Sequence, residues 1–435
     1  VHGFLRGGRG VIVGPFVKPV WPILGNAGFN LDNTTAIGDA MVVSKEFSDR
    51  LKALPEYLFL EIDRAKREVQ ASGADVIDLG IVDPDMPTPD EIIRSLERAV
   101  RDPANHRYGT NYGMIEFRQR IAAWFAKRFG VELDPQREIL PVLGSKEGIG
   151  HIHLAFVNPG DVVLVPDPGY PVYRSGTIMA GGEPYPMPLL AENAFLPLLD
   201  DIPPEIARGA RLMFINYPNN PTAAVASPEF FGAVVRFAKK NNLIVCHDAA
   251  YSEMTYDGYV APSFLSVEGA REVGIEFHSL SKTFNMTGWR IAFAVGDPEI
   301  LAGLAKVKSN VDSGMFQALQ EAGIAALSED LSEFRAAQMA IYQRRRDLLC
   351  DGLNAMGWRV EKPSGGLCVW VSVPPNLDSS AAAFDLLRKA AVVVAPGVGF
   401  GKYGQGYVRL SLTCSEERIE EAIKRIGPVY SEWTG

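Results

Sequence analysis

Cysteine is scarce in this chain. The 435 residues include four, Cys246, Cys350, Cys368 and Cys414, set far apart and without a CxxC or metal-finger spacing. That pattern reads as structural thiols in a reduced, cytoplasmic setting, with no metal site among them. Long apolar runs are also missing, and none approaches the ~18–20 residues that cross a bilayer. The apolar stretch 11–24 follows Arg6 and Arg9, as a signal peptide would. Pro15, Lys18, Pro19 and Pro22 interrupt it, and no clear small-x-small cleavage site follows. A surplus of positive charge is absent: the formal net charge is -9, which argues against a general nucleic-acid binder. Internal repeats and low-complexity tracts are absent as well.

What is present is the composition of a folded globular protein, 47% hydrophobic and 22% charged. The length favours two or more packed units. Residues 1–40 are crowded with Gly, Pro and Asn and read as an extension outside the fold. A polar, helix-compatible stretch follows at 44–60. From residue 75 short β-rich runs alternate with longer amphipathic ones. Strands are expected at 76–79, 139–143, 162–165, 211–215, 243–246, 275–278 and 291–295. Helices are expected at 90–100, 116–129 and 228–240, with a helix running into a polar loop at 298–314. Continuous apolar strands of this kind suit a mainly parallel sheet covered by helices on both faces. A long helix over 332–356 carries Arg344, Arg345 and Arg346, which read as a solvated face. Strands at 365–371, 392–394 and 407–411 alternate with helices at 381–390 and 416–426, pointing to a smaller α/β unit at the C-terminus.

Polar groups collect just after several of these strands, where open α/β sheets carry their sites. Lys282 stands in Ser279-Leu280-Ser281-Lys282, with Arg290 eight positions on. A lysine amine can form a Schiff base with an aldehyde, and hydroxyls with a cation can clamp a phosphate. Asp248 can keep a pyridine nitrogen protonated, because an opposite charge favours the charged form. Asn220 and Tyr251 can donate to a phenolate oxygen. Ser145 and Lys146, at a strand-to-helix turn in Gly144-Ser145-Lys146-Glu147-Gly148, suit a phosphate at a helix N-terminus, with Ser279 and Arg290 completing the cradle. Tyr170, in Asp167-Pro168-Gly169-Tyr170-Pro171, can stack on a ring. Together these groups describe a site for pyridoxal 5'-phosphate (PLP). Taken singly, Asn219-Asn220-Pro221 is a turn, Asp248 a helix cap and Tyr170 loop packing.

The set resembles the class I/II aminotransferase family of fold-type-I PLP enzymes. The motifs are Tyr108-x4-Gly113, Gly144-Ser145-Lys146, Pro168-Gly169-Tyr170, Asn219-Asn220-Pro221-Thr222, Asp248-x2-Tyr251, Ser279-x-Ser281-Lys282 with Arg290, and Val408-Arg409-Leu410-Ser411. The match runs from about residue 75 to the C-terminus. The resemblance implies a segment 41–85 packing on a small domain (326–435), beside a large PLP-binding domain (86–325). It makes Lys282 the Schiff-base lysine and Arg409 the arginine that grips the substrate α-carboxylate, which a planar guanidinium does bidentately. It implies a homodimer with shared sites, Tyr108 reaching the neighbouring subunit's phosphate and Ser309–Gly314 bordering the partner's site. A plain helix-to-helix connector is the other reading of 309–314.

Within the family the motifs around Tyr108, Gly113, Asn285 and Asn310 look nearest to the LL-diaminopimelate aminotransferases. These work with glutamate as donor on a route to lysine. Such a substrate has a distal amino-carboxylate end, for which Lys146, Glu147, Asn310 and Glu116 are candidates. One departure stands out. Val82 in Leu79-Gly80-Ile81-Val82-Asp83-Pro84-Asp85 takes the position where the family carries a glycine near the substrate carboxylate, and a β-branched residue can narrow that pocket. The expected reaction is ping-pong transfer of an amino group between an L-amino acid and a 2-oxo acid. Aspartate-, alanine- or aromatic-type transamination, or a C–S lyase on the same fold, are the alternatives.

Overall fold

Six of the expected β-rich segments, joined by an unforeseen strand at Glu183–Pro188, line up in one sheet. In the computed structural model, residues 45–54, 58–328, 330–375 and 377–435 are described; the expectation for residues 1–40 lies outside them. The strands are β1 (Ile77–Asp78), β2 (Ile139–Val142), β3 (Val162–Asp167), β4 (Glu183–Pro188), β5 (Ala210–Asn216), β6 (Ile244–Asp248), β7 (Gly274–Ser279), β8 (Ala292–Gly296), β9 (Cys368–Ser372), β10 (Val392–Val393), β11 (Ala395–Pro396) and β12 (Tyr407–Ser411). The helices are α1 (Asp49–Lys52), α2 (Leu58–Ala71), α3 (Asp90–Ala99), α4 (Ile115–Phe129), α5 (Ser145–Phe156), α6 (Val172–Ala180), α7 (Pro204–Gly209), α8 (Pro228–Asn241), α9 (Leu280–Thr283), α10 (Pro298–Val311), α11 (Gln317–Ser328), α12 (Ser332–Ala355), α13 (Ser379–Ala390) and α14 (Glu416–Thr434).

The large sheet has the order β2-β8-β7-β6-β5-β3-β4. Its pairings from β4 to β7 are parallel, and β8 alone runs against its neighbours β7 and β2. Successive residues on a strand face opposite sides. Accordingly Ile215, Val245 and Phe293 join one apolar cluster with Phe117, Ile121 and Phe125 of α4. Their chain neighbours Phe214, Cys246 and Ala294 join a second cluster with Ile149 and Ile152 of α5. Both faces are covered, so the strands read as unbroken apolar runs rather than alternating ones.

A second core gathers around β9, β11 and β12. Leu349 and Leu353 of α12, Leu386 of α13 and Ile419 of α14 pack on Val369, Val371, Val408 and Leu410. The segment before β2 reaches this part of the fold. β1 pairs in parallel with β10, with Ile77 opposite Val392. Ile62 packs with Leu387 and Val393, and Asp75 pairs with Arg418 and Arg425. The cysteines are free, with Cys246, Cys350 and Cys368 buried; burial pushes their thiols up, away from the reactive thiolate.

The arginine triplet corrects the sequence reading. Arg344 faces water, but Arg345 is 6% and Arg346 2% exposed. Arg345 makes two bonds to Asp85, at 2.7 and 2.8 Å. Arg346 bonds Asp257 and Asp347. A charge enters a core when partners satisfy it there, and two of these partners, Asp85 and Asp257, come from outside α12. No helix among the described residues is long and apolar enough to cross a membrane.

Candidate active site

Parallel strands end together, and their last residues are polar. β5 ends on Asn216, β6 on Asp248, β7 on Ser279 and β3 on Asp167, with Asn216 and Asp248 side by side in register. The ends open into a cleft of about 460 Å³. Val82, Ser145, Lys146, Tyr170, Asn220, Asp248, Tyr251, Ser279, Lys282, Arg290 and Arg409 all line it.

Asp248 is 5% exposed. Burial pulls its pKa up, and the hydrogen bond from Tyr173 opposes that. The Tyr173 hydroxyl donates to Oδ2 at 2.8 Å, and burial raises the pKa of that phenol as well. A buried carboxylate in this position gains most from a cation facing it. Asn216 ties the neighbouring strand ends together: its Nδ2 donates to the Asp248 carbonyl at 2.7 Å, and its Oδ1 accepts from the Asn220 N–H at 2.7 Å. Asn220 in turn accepts from Arg409 at Oδ1, 2.7 Å, which leaves its NH₂ to offer the cleft. Burial raises the pKa of Tyr251, so its hydroxyl stays a donor.

Lys282 extends from α9 and donates from Nζ to the Val82 carbonyl at 2.9 Å. Burial lowers its pKa to about 8. Asp83 opposes that, while Arg409 and Arg290 push it further down. Arg409 is 5% exposed; its second fork donates to the Gly80 carbonyl at 2.6 Å, and its guanidinium lies 4.7 Å over the Phe400 ring. The segment Gly80–Val82 thus contacts both cations through its carbonyls, and the valine side chain plays no part in either bond.

The anion end is built from backbone. Gly144 caps α5 at φ +84°, a conformation that glycine adopts without strain. A Cβ there would stand 2.1 Å from an Arg290 nitrogen, so only glycine lets the guanidinium approach this helix start. Arg290 itself sits at φ +58° and donates to the Thr287 carbonyl at 3.0 Å. Ser279 caps α9, its Oγ accepting from the Ser281 N–H at 3.2 Å. Tyr170 stands edge-on to Tyr173, and the Lys146 ammonium lies 5.8 Å from its ring centre.

Two sequence candidates lie elsewhere. Tyr108 is 96% exposed and Asn310 bonds the Lys306 carbonyl of its own helix. Ser309, Asn310 and Val311 are the last turn of α10, so the expected loop begins only at Asp312. Glu147 and Glu116 do not line the cleft either. Asn216, Tyr173 and Phe400 were not foreseen. Asn216 was within reach of the strand-end rule, whereas nothing in the sequence around Tyr173 or Phe400 marks them.

Residues 74–426 match the family of class I and II aminotransferases. The chain is 55% identical over 386 residues to an LL-diaminopimelate aminotransferase of Moorella thermoacetica, covering 88% of this chain and 98% of that one. It is 50% identical to an LL-diaminopimelate aminotransferase of Aquifex aeolicus, over 88% of this chain and 98% of that one. Among solved structures it is similar to substrate-bound BacF from Bacillus subtilis, with a TM-score of 0.85 and 39% identity over 89% of this chain and 98% of that one. A probable N-succinyldiaminopimelate aminotransferase from Thermus thermophilus superposes with a TM-score of 0.82 at 34% identity, over 85% of this chain and 99% of that one. By family match, by identity along nearly the whole of its relatives and by fold, the chain is a fold-type-I enzyme of the class I and II aminotransferase family.

Proposed function

We propose that this enzyme is an LL-diaminopimelate aminotransferase of lysine biosynthesis, with glutamate as its donor and PLP as its cofactor. We place it in the cytoplasm as a homodimer with shared sites. The observation that carries the substrate is the 55% identity to a relative of that name, spanning 98% of its length. The donor set of the cleft fits PLP: a buried carboxylate lacking a cation, a buried amine, and an arginine beside a helix start where a Cβ would collide.

When bound, PLP supplies the carbonyl that takes up the amino group and the ring that accepts an electron pair from the α-carbon. The chain's residues supply the rest. Lys282 Nζ would hold the cofactor covalently and would serve as the base that moves the proton of the substrate α-carbon. Asp248 pairs with the ring nitrogen, and Tyr173 holds that carboxylate in place. The Asn220 NH₂ and the Tyr251 hydroxyl donate to the ring oxygen. Ser145, Lys146, Ser279, Arg290 and the first N–H groups of α5 hold the phosphate. Tyr170 covers the ring, and Arg409 takes the α-carboxylate. Val82 contributes its carbonyl to Lys282 and its side chain to the cleft wall, where it shapes the substrate space.

The test is a half-reaction screen of the purified PLP form. LL-diaminopimelate and glutamate should each convert the absorbance of the aldehyde form of the cofactor to that of the amine form. If aspartate or alanine reacts and LL-diaminopimelate does not, the substrate assignment fails while the family stands. Release of pyruvate from cystathionine would instead favour a C–S lyase.

A further inference from the structure

Lys308 lies on α10 with 2% of its surface exposed, outside the cleft lining yet in contact with the turn that begins α5. Its ammonium donates to Glu147 Oε1 at 3.0 Å and to both oxygens of Asp312, at 3.0 and 3.3 Å. Glu147 is the third residue of α5. Its other oxygen accepts from the Leu143 N–H at 2.9 Å. His151, one helical turn on, brings Nδ1 to 2.6 Å from Glu147 Oε1 without hydrogen-bond alignment, and to 3.7 Å from Asp312.

This arrangement contains a conflict. An acidic side chain in the first turn of a helix favours the helix, but the same N-terminus is where an anionic ligand binds. Ser145 and Lys146 line the cleft, and Glu147, next in the chain, does not. Burial raises the Glu147 pKa, but contacts with His151, Asp312 and Lys308 outweigh it and hold the group below the usual carboxylate range, while burial and the neighbouring Glu147 raise the pKa of Asp312. The Glu147 carboxylate is therefore ionised at working pH, one turn from the proposed phosphate site. Glu147, His151 and Asp312 also have the ligand types of a cation site, their atoms within 4.8 Å of one another. The Lys308 ammonium already bonds both carboxylates, so the chain supplies its own cation there.

We infer that Lys308 is a positioning residue for the cofactor phosphate: it holds the Glu147 carboxylate out of the cleft and offsets part of the negative charge of Glu147 and Asp312, so that the Gly144–Lys146 turn can accept a dianion. The inference rests on the PLP reading above. It assigns Glu147 a structural place in the turn rather than a contact with the far end of the substrate.

The test titrates the apo form with PLP, with inorganic phosphate as competitor and pyridoxal, which lacks the phosphate, as control. Lys308→Met should weaken PLP binding at least about tenfold. Adding Glu147→Gln to it should restore affinity to within about threefold of wild type, because the unbalanced charge is then gone. Lys308→Arg should bind as wild type does, and pyridoxal should bind all the variants alike. Unchanged PLP affinity in Lys308→Met, or no restoration in the double variant, overturns the inference. Should Lys308→Met fail to fold, Lys308→Gln, which keeps hydrogen bonds to the carboxylates without the charge, decides: weaker PLP binding with unchanged pyridoxal binding supports the role, and unchanged PLP binding overturns it. A wild-type chain that binds no PLP sinks the cofactor reading instead, and is seen before any variant is compared.

Discussion

At the scale of the residue, the chemistry turns on one amine. A solvated lysine is charged until pH ~10.4, and a charged amine is no nucleophile. Burial among Arg409 and Arg290 brings Lys282 down to about 8. The sign follows directly: burial disfavours the ammonium, so the neutral amine appears at lower pH. It should then be present in useful amounts near neutrality, where a solvated lysine would be almost wholly protonated. The prediction concerns the apo form. Capture of pyridoxal by borohydride reduction should rise with pH, with a midpoint near 8, and level off above it, the label mapping to residue 282 by mass spectrometry. A midpoint near that of ordinary surface lysines would contradict the burial argument. Lys282→Ala should carry no label at that position.

At the scale of the element, α12 shows what a sequence leaves unseen. Arg345 and Arg346 look like solvent-facing charge, since the carboxylates that meet them in the core are distant in the chain. Asp85 and Asp257 arrive from 260 and 89 residues away, and only Asp347, beside Arg346, is local. Arg345 is the more instructive of the two, because its side chain is 7% exposed and that of Asp85 30%. Removing the carboxylate leaves a buried guanidinium unpaired, while removing the guanidinium leaves a carboxylate that water can reach. Asp85→Asn should therefore cost about 2–3 kcal/mol, the loss of hydrogen bonds to a buried charge, and Arg345→Met should cost less. Urea unfolding of the two variants gives the order, and the reverse order would mean that the pair is held chiefly for its carboxylate. Other elements were legible for equally physical reasons. The short apolar-rich runs of β3, β5, β6 and β7 announce buried strands. β4 does not, because Glu183-Pro184-Tyr185-Pro186-Met187-Pro188 reads as a loop. It lies at the sheet edge, where a proline's missing N–H leaves no ladder bond unmade. The reversed direction of β8 was likewise hidden, since a strand covered on both faces carries the same apolar pattern whichever way it runs. For the site, the strand-end rule and the motifs found most of the charged and polar groups that line the cleft. They missed Asn216, Tyr173 and Phe400, which act by holding another group and carry no motif of their own.

At the scale of the whole molecule, four large side chains stand exposed on one surface. Tyr108 is 96%, Val311 60%, Tyr112 52% and Phe316 40% exposed. They form one region, because Gly314 packs so closely on the Thr110 backbone that a Cβ would come within 2.4 Å of its carbonyl oxygen. A patch of this kind marks an interface, and its chemistry fits a second copy of the chain. Two phenols pointing outward from a segment next to the cleft-bearing sheet are suited to a phosphate in the neighbouring subunit. The shared-site dimer proposed here makes a prediction that no single variant can test. Tyr108→Ala should weaken cofactor affinity by about tenfold, the loss of one hydrogen bond to a charged group. Lys282→Ala should remove the activity. In a hybrid of the two, one site combines an intact Lys282 with the intact Tyr108 of the other subunit, and the second site carries both lesions. Unfolding and refolding the variants together should then recover about half of the hybrid's sites at wild-type cofactor affinity, read by titration of the purified hybrid. A monomeric chain, or a Tyr108 that serves its own subunit, recovers none, because every site would keep the lesion it started with.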